Sequence, residues 1–351
     1  MTEQKEATSD RPGVAVGLFI DMRNPDPWRR DPTALYARTL DLCAEADRRG
    51  IGAFWFTKHH FTDDDYLPQP LTLAAAVAAR TRHARLGTAV VLGALRDPIH
   101  TAEQAALVDV ISGGRLELGI GAGYARGEFT RFAADFRGRR AACEDHLVTV
   151  RRLFAERAVT PSPVQDEVPM WLGYQGPVGA RQAGRMGVSL LSLRRSLLEP
   201  LRAGREEAGL DPAGAAMGGV VDIVVSDDPE RDAPLIAPHY AYQQESYRAL
   251  HHSGASRDTN RRPAGEAPAV VRTVTGGNGL AVLTPDDAVT ALTAAIGGLP
   301  ARHVYVWLSV AGMPDALVER HVELVCDRVV PRLSGSPSPP TDAAAQPHGA
   351  R

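Results

Sequence analysis

The chain has 351 residues, enough for one large domain or two ordinary ones. Hydrophobic residues make up 44% and charged residues 23%, and 39 basic side chains are interspersed with 42 acidic ones for a net charge of -3. That is an ordinary globular composition with no electrostatic footing for a nucleic acid or an anionic membrane.

Residues 1–12 are polar, with no apolar run of signal-peptide type, and are expected to be disordered. VAVGLFI (Val14 to Ile20) reads as a buried strand, and TALYARTLDLCAEADRRG (Thr33 to Gly50) as a helix with a glycine stop. GAFWFT is the second strand, PLTLAAAVAARTR a helix, LGTAVVL the third strand, TAEQAALVDVIS a helix and RLELGIGAG the fourth strand. The segment from Arg139 to Glu156 is helical, followed by VPMWLG as a strand, PVGARQAGRMG as a helix and VSLLS as a strand. SLLEPLRAGREEAG then reads as a helix, GGVVDIVVS as a strand and the stretch from Tyr240 to His251 as a helix. A polar, glycine-rich loop is expected over 253–283, too long for a simple connector and therefore either functional or disordered. TPDDAVTALTAAIGG is a helix with Thr284 as cap and Pro285 in its first turn. HVYVWLSV is the last strand and ALVERHVELVCDRVVPRL the last helix, and the tail from Ser334 (SGSPSPPTDAAAQPHGAR) is expected to be disordered.

Eight near-continuous apolar strands alternating with helices predict a single closed (β/α)8 barrel over 13–333, with an open doubly wound sheet as the other arrangement. In a barrel the loops after the strands form the active-site face, so the 253–283 loop is expected to act as a lid. Cys43, Cys143 and Cys326 are widely spaced, with no metal or redox pattern, and no segment has transmembrane length. A reduced, cytoplasmic setting is expected.

Lys58, His59 and His60 fall where the second strand ends, on the active-site rim. Side chains alternate along a strand, so the two histidines cannot serve one point while it stays regular, and no metal-type histidine spacing lies nearby. A catalytic histidine and a pair of satisfied structural histidines both fit. GIGAGY (Gly119 to Tyr124) lacks the final glycine of a dinucleotide fingerprint, and Gly121 reads as a strand end where backbone lies close to a flat ligand or makes a tight turn. LGYQGPVGARQAGRMG places glycines at a helix start, where free N–H groups suit a phosphate, or simply form a turn. Asp63, Asp64 and Asp65 read as a solvated loop, Arg96 as a rim cation, and Trp55, Trp171 and Trp307 as core or as the walls of a flat-cofactor pocket.

Taken together, FWFTKHHFT, the block LGTAVVLGALRDPIHTAEQAALVDVISGGRLELGIGAGYARGEFTRF, the block PMWLGYQGPVGARQAGRMGVSLLS and the final VELVCDRVVPRL resemble the bacterial luciferase-like family of flavin-dependent oxidoreductases in order and spacing, over most of residues 14–333. The resemblance implies a (β/α)8 barrel that holds reduced FMN at its mouth. A separate flavin reductase would supply the FMN, which reacts with O2 to give a C4a-hydroperoxide that oxygenates an organic small molecule. It assigns His59 as the catalytic acid/base, with His60 supporting the site or packing behind it. It places a non-proline cis peptide at Ala89–Val90 against the flavin ring, Glu128 near the flavin, and Gly176 and Gly179 at its phosphate. It also implies a homodimer. The sequence departs from the family pattern in three places: Lys58 stands where an acid is usual, Ala122 where luciferase has a phosphate-binding arginine, and Gly176 and Gly179 offer backbone donors without the hydroxyls often found there. Arg126 or Arg96 is expected to compensate. These departures keep two alternatives open, an F420-dependent hydride-transfer enzyme and a non-catalytic subunit of a luciferase-like heterodimer.

Overall fold

The computed structural model describes residues 13–252, 271–272 and 279–333. The two termini and most of the expected lid lie outside the described residues, and with them the expectations made for those segments.

The strands are β1 (Ala15–Ile20), β2 (Ala53–Phe56), β3 (Arg85–Thr88), β4 (Val91–Leu92), β5 (Leu116–Gly121), β6 (Met170–Leu172), β7 (Ser189–Leu191), β8 (Met217–Val220), β9 (Ile223–Val225), β10 (Val271–Arg272), β11 (Leu280–Leu283) and β12 (Ala301–Trp307). The helices are α1 (Pro32–Arg48), α2 (Pro70–Arg80), α3 (Pro98–Ser112), α4 (Arg126–Arg131), α5 (Arg139–Ala155), α6 (Pro177–Arg185), α7 (Leu198–Glu207), α8 (Pro229–His252), α9 (Pro285–Ile296), α10 (Asp315–Leu324) and α11 (Val330–Leu333).

Around the barrel the hydrogen-bonded order is β3-β2-β1-β12-β8-β7-β6-β5, and β5 returns to β3 through Leu86↔Leu116 and Gly87↔Glu117. All these pairings are parallel, so the sheet is an eight-stranded closed barrel and the open doubly wound arrangement is excluded. The Ala89–Val90 peptide is cis, and β4 continues beyond it against β5.

The barrel interior is filled by aromatic side chains. Trp55 stacks on Tyr305 at 5.2 Å and meets Trp171 edge-on at 5.5 Å. The Trp171 indole N–H is satisfied by Glu117 Oε2 at 2.6 Å, and Arg85 pairs with the other oxygen of that carboxylate. Trp55, Trp171 and Trp307 are all buried core and none lines the main cavity, which settles the choice between core and cofactor wall.

Several elements depart from the sequence reading: LGTAVVL is not one strand but β3 and β4 on either side of Ala89–Val90, and α4 is not expected from it. GGVVDIVVS is not one strand: β8 stays in the barrel, whereas β9 leaves it after Val221 and Asp222 and joins a second parallel sheet in the order β10-β11-β9. A run of β-branched residues suits either sheet, so composition hides the switch. Leu280–Leu283, read as loop, is β11, with a hydrogen-bonded ladder to β9. Helix α8 begins at Pro229 and runs through Pro234 and Pro238, because Ala233, Ile236 and Tyr240 are buried by it. Packing there outweighs the two lost backbone hydrogen bonds. The expected cap of α9 is present, with Thr284 accepting from the Asp287 N–H.

Helices α6 and α7 cross with backbone nearly in contact. A Cβ on Gly204 would lie 1.9 Å from Arg181 O, and one on Gly184 would lie 2.1 Å from Leu201 O. Both obstacles are backbone and cannot rotate away. Gly204→Ala is therefore expected to destabilise the chain by ~2 kcal/mol or more, at the upper end of ordinary overpacking. The check is the urea midpoint, which should fall with the slope unchanged.

Candidate active site

A cavity of about 780 Å³ opens where the barrel strands end, between the loops that follow them. One wall is made of small residues. Ala89 and Val90 come from the cis peptide, Gly121 from the end of β5 and Gly173 from just beyond β6. The Val90 methyl groups sit where a Cβ on Gly121 (2.5 Å) or on Gly173 (2.6 Å) would have to go. These glycines thus make room for Val90, and the surface left behind is shallow and apolar.

A polar cluster stands beside this wall. Strand β2 stops at Phe56, and beyond it the His59 N–H bonds to Leu67 O instead of continuing a ladder. The regular alternation that would separate Lys58 from His59 ends there, and both reach the same carboxylate. Glu128 Oε1 accepts from Lys58 Nζ at 3.0 Å and from the His60 N–H at 2.6 Å, and lies 3.4 Å from His59 Nδ1. His59 Nε2 is 2.8 Å from the Tyr124 hydroxyl, and the imidazole packs edge-on against Tyr66 at 5.0 Å. Lys58, His59 and Tyr124 line the cavity; Glu128 is buried behind them. His60 contributes its backbone, while its ring packs on Phe61 and Phe132 outside the cavity.

The charges follow from burial and neighbours. Burial pushes the Lys58 ammonium down to about 8, against the pull of Glu128. Burial also lowers His59 against the pull of Glu128, and the Lys58 charge adds to the lowering, so the imidazole is neutral at pH 7. For Glu128, burial acts upward, but His59, Lys58 and the His60 N–H outweigh it and hold the carboxyl at about 2. With an ionised carboxylate facing Nδ1, the proton of neutral His59 belongs on Nδ1 and Nε2 accepts from Tyr124. The phenol stays protonated, its pKa raised by burial.

The other expected site residues are scattered. Gly176 caps α6 at φ 88° and Gly179 is buried against Tyr174, and neither lines the cavity; from that segment the lining comes from Gly173, Tyr174 and Gln175. Arg126 stacks on Phe136 at 4.1 Å, and Arg96 bonds to Gln69 and Gln104. Neither compensates for Ala122 by facing the cavity. Arg139, Arg140 and Arg194 do line it, with Gln175 and Ser192. The sequence carried no signal for them beyond arginines at a helix start and after a strand. Asp64 is buried, not solvated: it pairs with Arg23, whose guanidinium lies between the rings of Tyr66 (4.4 Å) and Tyr247 (4.6 Å). Among the described residues no group of His, Cys, Asp and Glu side chains is arranged to hold a metal ion.

A flat ring with an anionic tail fits these features. The small-residue wall is flat and apolar enough for the ring. Arg139 has its pKa lowered by burial and then by the charges of Arg140 and Arg126, so these guanidiniums repel one another, and among the described residues Arg139 donates to the Gly123 and Phe136 carbonyls with no carboxylate paired to it. An anion would relieve that repulsion.

Fold and site together define a (β/α)8-barrel enzyme whose mouth is shaped for a cofactor of that kind. The chain belongs to the luciferase-like monooxygenase family, whose model matches residues 15–319. It is similar to the oxygenase component of the flavin-dependent trigonelline monooxygenase of Acinetobacter baylyi, with 29% identity over 210 residues, 55% of this chain and 56% of that protein. It is also similar to the F420-dependent glucose-6-phosphate dehydrogenase of Amycolatopsis mediterranei, with 27% identity over 168 residues, 42% of this chain and 50% of that protein. These matches span about half the length of the two relatives. The crystal structure of the monooxygenase RslO1 from Streptomyces bottropensis shares the fold, with a TM-score of 0.71 at 24% identity over 91% of this chain and 99% of that one.

Glu128 titrates at about 2 in the folded chain against an ordinary 4.5. The stability it contributes is complete above that ordinary value and is lost as pH falls through about 2. Near neutral pH, Glu128→Gln is expected to cost ~3 kcal/mol, because Lys58 is left buried without its partner. The gap between wild type and variant should close on acidification. Urea denaturation at a series of pH values measures it, and a gap independent of pH would refute an ionised Glu128.

Proposed function

We propose that the protein is an FMN-dependent monooxygenase. It takes reduced FMN from a separate flavin reductase, uses O2 and oxygenates an organic small molecule. The single observation that carries this reading is the cavity in which the Ala89–Val90/Gly121/Gly173 wall adjoins the His59–Tyr124 pair. Reduced FMN, when bound, supplies the electrons that activate O2.

The chain's own residues supply the rest. Ala89, Val90 and Gly121 pack against the ring. Arg139, Arg140 and Arg194 hold the phosphate, a role the sequence reading gave to Gly176 and Gly179. His59 is the acid/base: Nε2 takes or returns a proton through the Tyr124 hydroxyl, and Glu128 orients the imidazole from Nδ1. Burial of this cluster keeps water from competing for the proton. The expected homodimer has a surface available in the exposed Ile99, Leu107, Val110 and Ile111 of α3. No helix among the described residues is long and apolar enough to cross a membrane, and a cytoplasmic location remains part of the proposal.

F420 is the second reading. It is favoured by Ala122 in the cavity lining and by the similarity to an F420-dependent dehydrogenase. A non-catalytic subunit fits less well, because a buried Lys58–Glu128 pair beside a histidine is costly to maintain where no chemistry needs it.

Two measurements test the proposal. In anaerobic titrations, reduced FMN should bind, and the bound form should reoxidise in air more slowly than free reduced FMN. Binding of reduced F420 alone would replace this reading with hydride transfer, and binding of neither would return the chain to a partner role. Once a substrate is found, His59→Ala and Tyr124→Phe should each lower turnover by ~100-fold or more with FMN affinity preserved. Unchanged turnover in both would remove the acid/base assignment.

A further inference from the structure

Among the described residues that line the cavity, Asp222 is the sole carboxylate, against four cations, Lys58, Arg139, Arg140 and Arg194. It lies in the two-residue link where the chain leaves the barrel between β8 and β9. The link is fixed by its backbone: the Val221 N–H donates to Tyr305 O at 2.8 Å, and Asp222 O accepts from the Ala281 N–H at 2.9 Å. The side chain is fixed as well, since the Trp307 indole N–H donates to Oδ1 at 2.8 Å. The second oxygen, Oδ2, has no hydrogen-bond or ion-pair partner among the described residues.

This arrangement is unusual in its charge balance. A largely buried carboxylate ordinarily acquires a cation. Here none of the four cavity cations pairs with it: Lys58 is taken by Glu128, Arg139 and Arg140 stand together beyond β5, and Arg194 follows β7. Burial accordingly pushes the Asp222 carboxyl above its ordinary range, with only the Trp307 indole opposing. The neighbouring surface is aromatic. Phe19 and Tyr305 both line the cavity with ring centroids 4.9 Å apart, and Phe19 packs at 4.7 Å on the indole that holds Asp222. A carboxylate oxygen available beside aromatic rings is a receptor for an organic cation.

We propose that Asp222 is the substrate-recognition carboxylate of this cavity, and that its ligand class is small apolar or aromatic molecules bearing a basic nitrogen that is protonated at neutral pH. The cation binds at Oδ2, Trp307 holds Oδ1 so that the carboxylate is already oriented, and Phe19 and Tyr305 cover the carbon frame. That this ligand is the substrate rests on the monooxygenase reading; that the site takes a cation does not. General attraction cannot produce this preference, because the cavity lining carries more positive than negative side chains.

The test uses three probes of matched size, benzylammonium, benzyl alcohol and benzoate, titrated calorimetrically into the full chain with and without FMN. Wild type should bind benzylammonium ~10-fold or more tightly than benzyl alcohol, the range of one charge-assisted contact. Asp222→Asn keeps an oxygen for the Trp307 N–H, and should bring the ammonium and alcohol affinities within ~2-fold of each other while FMN affinity and the thermal midpoint are retained. Equal binding of the two probes by wild type overturns the proposal, and that comparison needs no variant. An ammonium preference that survives in Asp222→Asn also overturns it, since the cation would then be held elsewhere. If FMN fails to bind while the ammonium preference and its loss in Asp222→Asn persist, the flavin reading falls and the Asp222 site stands.

Discussion

One carboxylate oxygen organises the mouth of this barrel. Glu128 Oε1 is approached by Lys58 Nζ, His59 Nδ1 and the His60 N–H, all from the short stretch just beyond β2. A buried carboxylate is costly unless such groups surround it, and a buried lysine is costly without such a carboxylate. The two therefore require each other, and the histidine is oriented by the same atom. Because Glu128 lies on α4, the loop after β5 is tied to the end of β2 over the end of β3, which lies between them in the barrel. The imidazole then faces the cavity with a fixed tautomer, and Tyr124, from that same loop, completes the chain of polar contacts.

The apolar wall is built by complementary loss and gain of volume. Gly121 and Gly173 give up side chains on two neighbouring strands, and Val90 occupies the space. Deeper in the barrel Gly87 stands under the Trp55 ring for the same reason: a Cβ there would lie 2.4 Å from the indole. The aromatic layer of Trp55, Trp171 and Tyr305 fills the interior below the cavity, so the cavity is confined to the mouth. A packed interior of this kind leaves the loops to decide chemistry.

A second polar layer supports the first. Arg23, held by Asp21 and Asp64, lies between Tyr66 and Tyr247, and its guanidinium also meets Ser246. Tyr66 packs on His59, while Tyr247 and Ser246 belong to α8. Arg23 thus joins the loop after β1, the loop after β2 and the long helix that follows the barrel's departure into its second sheet. The side of the histidine away from the cavity is closed by this cluster.

The amino-acid sequence by itself determined the architecture. Eight buried apolar runs alternating with amphipathic helices have few ways to bury both faces, and the closed parallel barrel is one of them. It also placed Lys58, His59 and Gly121 at strand ends, and strand ends are the rim, whereas Ala89 and Val90 lie inside a strand of that reading and are singled out only by the family resemblance. Only the tertiary structure decided which rim residues meet. The alternation rule held that His59 and His60 cannot serve one point, and only the His59 ring faces the cavity; that Lys58 and His59 meet at one carboxylate follows from β2 ending at Phe56. Asp64 read as solvated in a run of three aspartates, and is buried because the loop after β2 packs on the neighbouring loop after β1, where Arg23 pairs with it. Arg139, Arg140, Arg194 and Asp222 carry no local pattern at all. Their meeting at one cavity depends on loops separated by tens of residues, and periodicity, a nearest-neighbour property of the chain, does not encode such a meeting.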